Sequence, residues 1–306
     1  MLRIVVFLAT LLGAIAFVGL LLVLAPGDPI SLIPNGEELR PQLEAEWGLS
    51  RPLHERYLHY LSRILTLDLG TSLAYRPGQP VIDVIRGPAL YSLGRVLAAL
   101  SCAMAWGTAL AWWTAERPSA PRILIQGISI VPIFLLAHAT VTGLNEGAFA
   151  LMTAGYIERP PWFALPDQPS ALRTQLSILL LAVGSGSLSE VHAQVEEALV
   201  RIRRSAYVDA ARARGAPLWP HIALNLLPPL ASTLAERAAF LAGGIVIVEK
   251  VLLLNGAGSV LWEAALLRDY DLAMALALLA AAAVGLVRLA SDAVRLAVDP
   301  RLRGAT

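Results

Sequence analysis

The sequence predicts an all-α polytopic membrane protein with six transmembrane helices. Of its 306 residues, 57% are hydrophobic and 15% are charged, and the mean hydropathy of +0.63 is too high for an ordinary soluble domain. The apolar residues lie in long runs, separated by segments rich in Pro, Gly and charged residues. A helix of about 20 apolar residues crosses a hydrocarbon core of about 30 Å. These runs therefore predict transmembrane helices.

The first transmembrane helix is predicted within residues 1–25. Ile4 to Ala25 contains no charged residue, and Arg3 in front of it favours a cytoplasmic amino terminus. A cleavable signal peptide also combines a positive charge with an apolar run and is the alternative interpretation. The length of the run and the lack of an A-x-A motif before Pro26 favour the transmembrane helix.

Residues 26–88 are predicted to form an external, periplasmic segment. They are polar and charged and begin with the helix-terminating sequence Pro26-Gly27-Asp28-Pro29. Within them, Trp47 to Tyr60 has the apolar spacing of a short amphipathic helix. The external segment as a whole, the only sizeable one, is expected to cap the pore and to help bind a partner protein.

Residues 89–306 are predicted to contain five further transmembrane helices. Pro132 is expected to kink the second of these, and Arg95 is expected to extend its charge toward the outer membrane surface. The adjacent charges Glu236 and Arg237 lie inside a span. Arg237 can extend toward the inner membrane surface, whereas Glu236 is expected to face the subunit interface or the pore, where water or a basic group satisfies it. The predicted spans are Ala89–Thr114, Ile123–Leu144, Ala171–Leu188, Leu230–Val248 and Leu272–Leu289, with an external loop over 145–170.

A polar stretch at 190–229 contains the most distinctive segment, a predicted helix, turn and helix at 205–229 that we call the elbow. Tyr207 to Arg214 is rich in Ala and Arg, which are strong helix formers. Gly215 follows and can adopt the positive φ of a helix end. The first helix of the elbow is therefore expected to stop at Gly215.

The second helix of the elbow is predicted to be short. Pro217 prevents a simple continuation of the first helix, and Leu218 to Leu226 has helical composition. The adjacent Pro228 and Pro229 are expected to end this helix, so that the next transmembrane span begins separately.

The elbow carries a spaced pattern: Asp209-Ala210-Ala211, then Gly215, then Asn225 and Leu227-Pro228. This pattern resembles the cytoplasmic coupling loop of binding-protein-dependent ABC importer permeases. The sequence ARARG, with His221 downstream, is similar to the version in the oligopeptide, dipeptide and nickel branch. The resemblance implies that an ATPase subunit contacts Tyr207, Asp209, Ala210, Ala211, Arg212, Arg214, Gly215, His221, Asn225 and Pro228.

Other motifs in the same order resemble the B-type permease subunit of this branch. They include PGDP at 26–29, DLGTS at 68–72, Arg268-Asp269-Tyr270 and the DPR sequence at 299–301. One departure is Glu196, at a position where family members commonly carry Arg. The translocation pathway is expected to involve Pro132, Phe134, Glu236, Arg237 and Glu249.

The resemblance also implies the partners and the cellular location. It implies a homologous second permease subunit, two ATP-binding subunits on the cytoplasmic side and an external solute-binding protein. The expected location is the bacterial cytoplasmic (inner) membrane, with both termini cytoplasmic, and an excess of basic residues on the inner side agrees with this orientation. Peptides or nickel are the expected solutes. ATP and Mg are expected in the partner subunits, and this chain is expected to bind no cofactor itself.

The sequence contains no motif that indicates an enzyme. It has no G-x-x-x-x-G-K-[ST] phosphate loop, no G-x-S-x-G sequence and no His or Cys spacing typical of a metal site. A net charge of +1 offers no strongly basic surface for nucleic acid. A self-sufficient secondary transporter or channel is the alternative function. It is disfavoured because such proteins have repeats with broken helices at matching places, and because it gives the elbow no role.

Overall fold

The computed structural model describes residues 2–24, 40–46, 68–115, 120–158 and 171–298, and a few single positions between 30 and 66. The predicted all-α class is confirmed, since within these residues the regular structure is helical. The helices are α1 (Leu2–Leu24), α2 (Arg40–Glu46), α3 (Val81–Thr114), α4 (Ala120–Ser129), α5 (Ile133–Thr153), α6 (Ala171–Val183), α7 (Ser187–Arg203), α8 (Ala206–Ala213), α9 (Leu218–Val251), α10 (Ala257–Leu266) and α11 (Tyr270–Val298).

Three of these helices, α3, α9 and α11, are long and apolar enough to cross a membrane. The pair α6 and α7 adds a fourth span if the two are counted as one helix bent by 43°. A shorter apolar stretch, Val5–Leu21, lies in α1. The structure therefore supports a multi-pass membrane protein, while the number of six spans stays a prediction.

The second and third predicted spans have different bounds in the structure. Helix α3 already begins at Val81 rather than at Ala89. The predicted kink at Pro132 is a complete break, because Pro132 has an extended backbone (φ −58°, ψ 142°) and separates α4 from α5. Helix α5 then continues to Thr153, into the predicted loop over 145–170. The proline-rich part of that loop lies outside the described residues.

The predicted fourth span, Ala171–Leu188, is interrupted. Helix α6 ends at Val183, and a 3-10 turn, Gly184–Gly186, precedes α7. Gly186 has a φ of +84°, which glycine adopts without steric cost. A Cβ atom on Gly184 would lie 3.0 Å from Cγ1 of Ile133, so glycine permits a close approach of α5.

The expected end of the second elbow helix at Pro228 and Pro229 is wrong. Both prolines lie inside α9, which continues without interruption from Leu218 to Val251. Prolines inside a helix remove backbone hydrogen bonds, but membrane helices tolerate them where neighbouring groups compensate. The hydroxyls of Ser232 and Thr233 donate to the carbonyl oxygens of Pro228 and Pro229, at 3.0 and 2.9 Å, which does not replace the bonds lost at Leu224 and Asn225. Packing on both sides of the prolines, through Ile222 and Leu226 before them and Leu241 after them, accompanies the continuous helix.

The helices form two compact units, of which the first comprises residues 1–93 and 255–285. Its polar centre is the buried carboxylate of Asp269, the middle residue of the Arg-Asp-Tyr motif. Oδ2 of Asp269 accepts hydrogen bonds from the Ser72 hydroxyl at 2.5 Å and from the amides of Ala74 and Tyr75 at 3.1 Å each. The apolar core of this unit includes Val81, Val84, Ile85, Val260, Ala264, Leu272, Ala273, Ala275 and Leu276.

The second unit comprises residues 94–254 and 286–306 and contains the elbow. Two apolar clusters form its core. The first joins α3, α5, α6 and α9 through Leu100, Ala103, Ile133, Ala137, Leu180, Leu181, Leu241, Ile245 and Val248. The second holds the elbow through Val191, Val195, Leu199, Ile202, Val208, Ile222 and Leu226.

We predict that the approach of α3 to α7 depends on Gly107. A Cβ atom there would lie 2.6 Å from Cγ1 of Val191, a β-branched side chain with little rotamer freedom. Gly107→Ala should destabilise the protein by about 1–3 kcal/mol and lower its thermal unfolding temperature in detergent. Gly143→Ala is the control because its Cβ atom meets nothing within 4 Å, and it should be neutral or slightly stabilising. Equal unfolding temperatures for the two variants would contradict the prediction.

Candidate functional site

The first helix of the elbow, α8, ends as the sequence predicts. Gly215 has a φ of +64°, which confirms the expected positive φ. The amides of Gly215 and Ala216 donate to the carbonyl oxygens of Arg212 and Ala211, at 3.0 Å each, and so close the helix end. Pro217 is extended and precedes α9. The turn therefore sets the direction in which the chain leaves α8.

The short helix α8 has one buried face and one exposed face. Val208 and Ala211 are completely buried, and Val208 belongs to the apolar cluster that holds the elbow. Asp209 and Arg212 form an ion pair of 3.2 Å with 60% of each side chain exposed. In α8 and the turn after it, the exposed residues of the predicted contact set are Tyr207, Asp209, Ala210, Arg212, Arg214 and Gly215.

The remaining predicted contact residues lie on α9. His221 and Pro228 are half-buried, and Asn225 is exposed. Nδ2 of Asn225 donates to the carbonyl oxygen of His221 at 2.7 Å. The structure thus places Asn225 on the surface, and it places Ala211 in the interior, where Ala211 serves packing rather than an outward contact.

An aromatic cluster lies beside the start of α9. The rings of Trp112 and Trp219 meet edge to face with centroids 5.5 Å apart, and the Arg203 guanidinium lies 4.7 Å from the Trp112 ring centroid. Both rings remain partly exposed. This cluster was not predicted from the sequence, because its members lie on three different helices and Trp112 is far from Arg203 and Trp219 along the chain.

A buried polar cluster connects α7 to the end of α3. The Thr114 hydroxyl donates to Oε1 of Glu196 at 3.0 Å and lies 2.7 Å from Nε2 of His192. Nη2 of Arg122, on α4, donates to the same glutamate oxygen at 2.8 Å. The sequence signal for this cluster was Glu196 itself, which departs from the Arg that the family resemblance implies at this position. The negative charge of Glu196 is balanced by the guanidinium of Arg122.

Two of the predicted pathway residues lie at the start of α5. Pro132 and Phe134 are both exposed on this chain, and Ile133 between them is buried in the core. Their exposure leaves both side chains available to a second subunit, to solute or to lipid. Their role in the pathway stays a prediction.

Glu236 and Arg237 lie on α9 with different surroundings. Glu236 is exposed, and Nε2 of Gln194 donates to its Oε2 at 3.2 Å. Oε1 of Gln194 in turn accepts a hydrogen bond of 2.5 Å from Thr233. The Arg237 guanidinium lies 5.3 Å from the ring centroid of Phe240. The two charges therefore interact with separate neighbours.

Glu249 is the one predicted pathway residue that is completely buried. Its Oε1 accepts a hydrogen bond of 2.8 Å from Nη1 of Arg95, whose side chain is only 9% exposed. The expectation that Arg95 extends to the membrane surface is therefore wrong. A buried partner removes the need for such an extension, because the ion pair neutralises both charges inside the protein.

Comparisons with known proteins show which family this sequence is similar to. Residues 107–304, which include the whole elbow, match the family described as binding-protein-dependent transport system inner membrane component. The glutathione transport system permease protein of Salmonella typhimurium is 29% identical over 316 residues, covering 98% of this chain and 97% of that protein. A putative peptide permease protein of Brucella ovis is 28% identical over 315 residues, with the same coverage. A probable peptide ABC transporter permease protein of Sinorhizobium fredii is 25% identical over 304 residues, covering 94% of this chain and 93% of that protein.

We predict that Glu196→Gln weakens the attachment of α7 to α3 and α4. The substitution removes the charge that Arg122 and Thr114 contact, and Arg122 is 38% exposed, so we expect a loss of about 1–2 kcal/mol in the free energy of unfolding. The neighbouring Glu197 is 77% exposed, and Glu197→Gln should change the free energy of unfolding by less than about 0.5 kcal/mol. Thermal unfolding of the purified variants measures both. A Glu196→Gln protein as stable as Glu197→Gln would contradict the prediction.

Proposed function

Because the chain belongs to the family of binding-protein-dependent transport system inner membrane components, we propose that it forms half of the translocation pathway of an ATP-driven importer for small peptides. The peptide and dipeptide branch of ABC importer permeases is supported by the family match and by relatives named as glutathione and peptide permeases. The names of these relatives favour peptides over nickel, the other solute class of the branch. In this proposal the chain is a transport subunit and not an enzyme.

The proposal assigns six spans to the described helices. They are α1, α3, the broken pair α4 and α5, the bent pair α6 and α7, α9, and α11. With both termini cytoplasmic, the elbow between the fourth and fifth spans lies on the cytoplasmic side of the bacterial inner membrane. The segment 26–88, between the first two spans, then lies outside.

The observation that carries the coupling role is the two-faced character of α8. Its inner face is fixed to the second unit by Val208, while its outer face presents polar and charged side chains. A short helix held in this way can transmit a displacement, because it cannot move without moving the helices it packs against. We infer that the outer face docks on one of two ATP-binding subunits, which bind ATP and Mg. A homologous second permease and an external solute-binding protein complete the importer.

Reconstitution tests the proposed function directly. The chain would be co-expressed with the genes next to its own, purified through a tag, and placed in proteoliposomes with the external binding protein. We expect an associated ATP-binding subunit and peptide uptake that requires ATP. Peptide flux through this chain alone, without ATP, would instead support a self-sufficient channel or secondary transporter.

The coupling role predicts a specific effect of Gly215→Val. A β-branched residue at a φ of +64° is strained by roughly 1 kcal/mol or more, so the end of α8 should shift. ATP hydrolysis should continue while peptide uptake falls by about tenfold, the change expected when positioning is lost. Gly155→Val is the matched control, because Gly155 has a φ of +79° and, like Gly215, nothing within 4 Å of its Cβ position. Normal uptake by Gly215→Val, or an equal loss in both variants, would count against the role of the elbow.

We further propose that Glu236 favours solutes that carry positive charge. The carboxylate is exposed on this chain and would face the second permease or the pathway. Glu236→Gln keeps the shape of the side chain and removes its charge, so uptake of cationic peptides should fall by about three- to tenfold relative to neutral peptides. Glu197→Gln, a change of charge at an exposed site on α7, should leave this ratio unchanged. An equal change for both peptide classes would make Glu236 a structural residue.

A further inference from the structure

Helix α9 connects the elbow to the buried ion pair. Its first residue, Leu218, follows the turn of the elbow, and Glu249 lies near its other end. At 1.5 Å per residue, the 31 steps between these residues span about 47 Å, the full thickness of a bilayer with its headgroups. Displacement of the elbow and the position of Glu249 are therefore linked through one continuous helix.

The proline pair divides α9 into two parts. Pro228 and Pro229 cannot donate to the carbonyl oxygens of Leu224 and Asn225, so bending is easiest at this point. The shorter part carries Ile222 and Leu226, which pack in the cluster around the elbow. The longer part packs against α3, α5 and α6 and ends at Glu249. The point of easiest bending thus lies between a part that packs around the elbow and a part that packs in the core of the second unit.

The contact near the far end of α9, the ion pair of Glu249 with Arg95, is directional. Nη1 of Arg95 and Oε1 of Glu249 are 2.8 Å apart, with both side chains buried. Apolar helix contacts allow small sliding of packed helices, which is one mode by which helices move in conformational changes. A buried, hydrogen-bonded ion pair resists sliding, because a small displacement leaves two charges incompletely neutralised.

We propose that Arg95 and Glu249 are positioning residues: their ion pair fixes the end of α9 to α3, so that displacement of the elbow bends or tilts α9 about this point. The inference rests on the proposed coupling of the elbow to an ATPase. It assigns the ion pair a role in transport, beyond its contribution to folding. Neither residue needs to contact the solute.

The test replaces the ion pair by apolar side chains of similar size. Buried ion pairs can often be replaced in this way without loss of stability, whereas removal of one partner alone leaves a buried charge and destabilises the protein. The double variant Arg95→Met/Glu249→Leu should therefore fold and assemble. We expect it to hydrolyse ATP at the normal rate but to import at least about tenfold less peptide for each ATP hydrolysed, since the fixed point of α9 is lost.

The charge-swapped variant Arg95→Glu/Glu249→Arg provides a second test. It retains an ion pair between α3 and α9 and should recover a substantial part of the uptake per ATP. The control is Glu197→Leu/Arg201→Met, which removes an exposed ion pair of 3.9 Å on α7 and should leave transport unchanged.

Several results would overturn the proposal. A normal ratio of peptide imported to ATP hydrolysed in the apolar double variant would show that the pair has a structural role only. The same conclusion would follow if neither double variant assembled, or if the charge-swapped variant were as uncoupled as the apolar one. Failure of the proposed function is distinguishable, because the unmodified chain would then bind no ATPase subunit and show no ATP-dependent uptake.

Discussion

The elbow depends on the burial of one face of α8, and most of the functional reasoning follows from that contact. Val208 is completely buried against α7 and α9, and full burial of such a side chain contributes about 1.5–3 kcal/mol where water is the alternative environment. The elbow is proposed to lie outside the lipid, so water is the alternative environment for Val208 and its burial stabilises the fold. The exposed face can then remain polar and open to a partner.

Different interactions hold the membrane part of the same unit. Lipid chains are as apolar as leucine, so helices inside a bilayer associate through close packing and polar contacts rather than through the hydrophobic effect. Gly107 and Gly184 allow such close packing, and the pair of Arg95 with Glu249 supplies a polar contact. Helix α9 takes part in both kinds of stabilisation. It packs around the elbow at one end and contributes to the buried ion pair at the other.

Local features of the chain could be predicted from the sequence. The helix of the elbow and the positive φ of Gly215 depend on neighbouring residues alone, and both were predicted correctly. Pro132 was identified as a point of disruption, although the structure shows a break rather than a kink. Pro228 and Pro229 were misjudged, because local propensity predicts a helix end while tertiary packing keeps α9 continuous. The pairing of Arg95 with Glu249 could not be predicted, since the two residues are 154 residues apart along the chain.

A cross-linking measurement tests the docking of the elbow most directly. Ala210 is exposed on α8, whereas the adjacent Ala211 is completely buried. With Cys102, the single native cysteine, replaced by Ala, a maleimide photo-cross-linker would be attached to Ala210→Cys or to Ala211→Cys in native membranes. We expect Ala210→Cys to cross-link to an ATP-binding subunit and Ala211→Cys to give little or no such product. Cross-linking of Ala210→Cys to lipid alone, or equal yields from both positions, would contradict the proposal that the outer face of α8 docks on the ATPase.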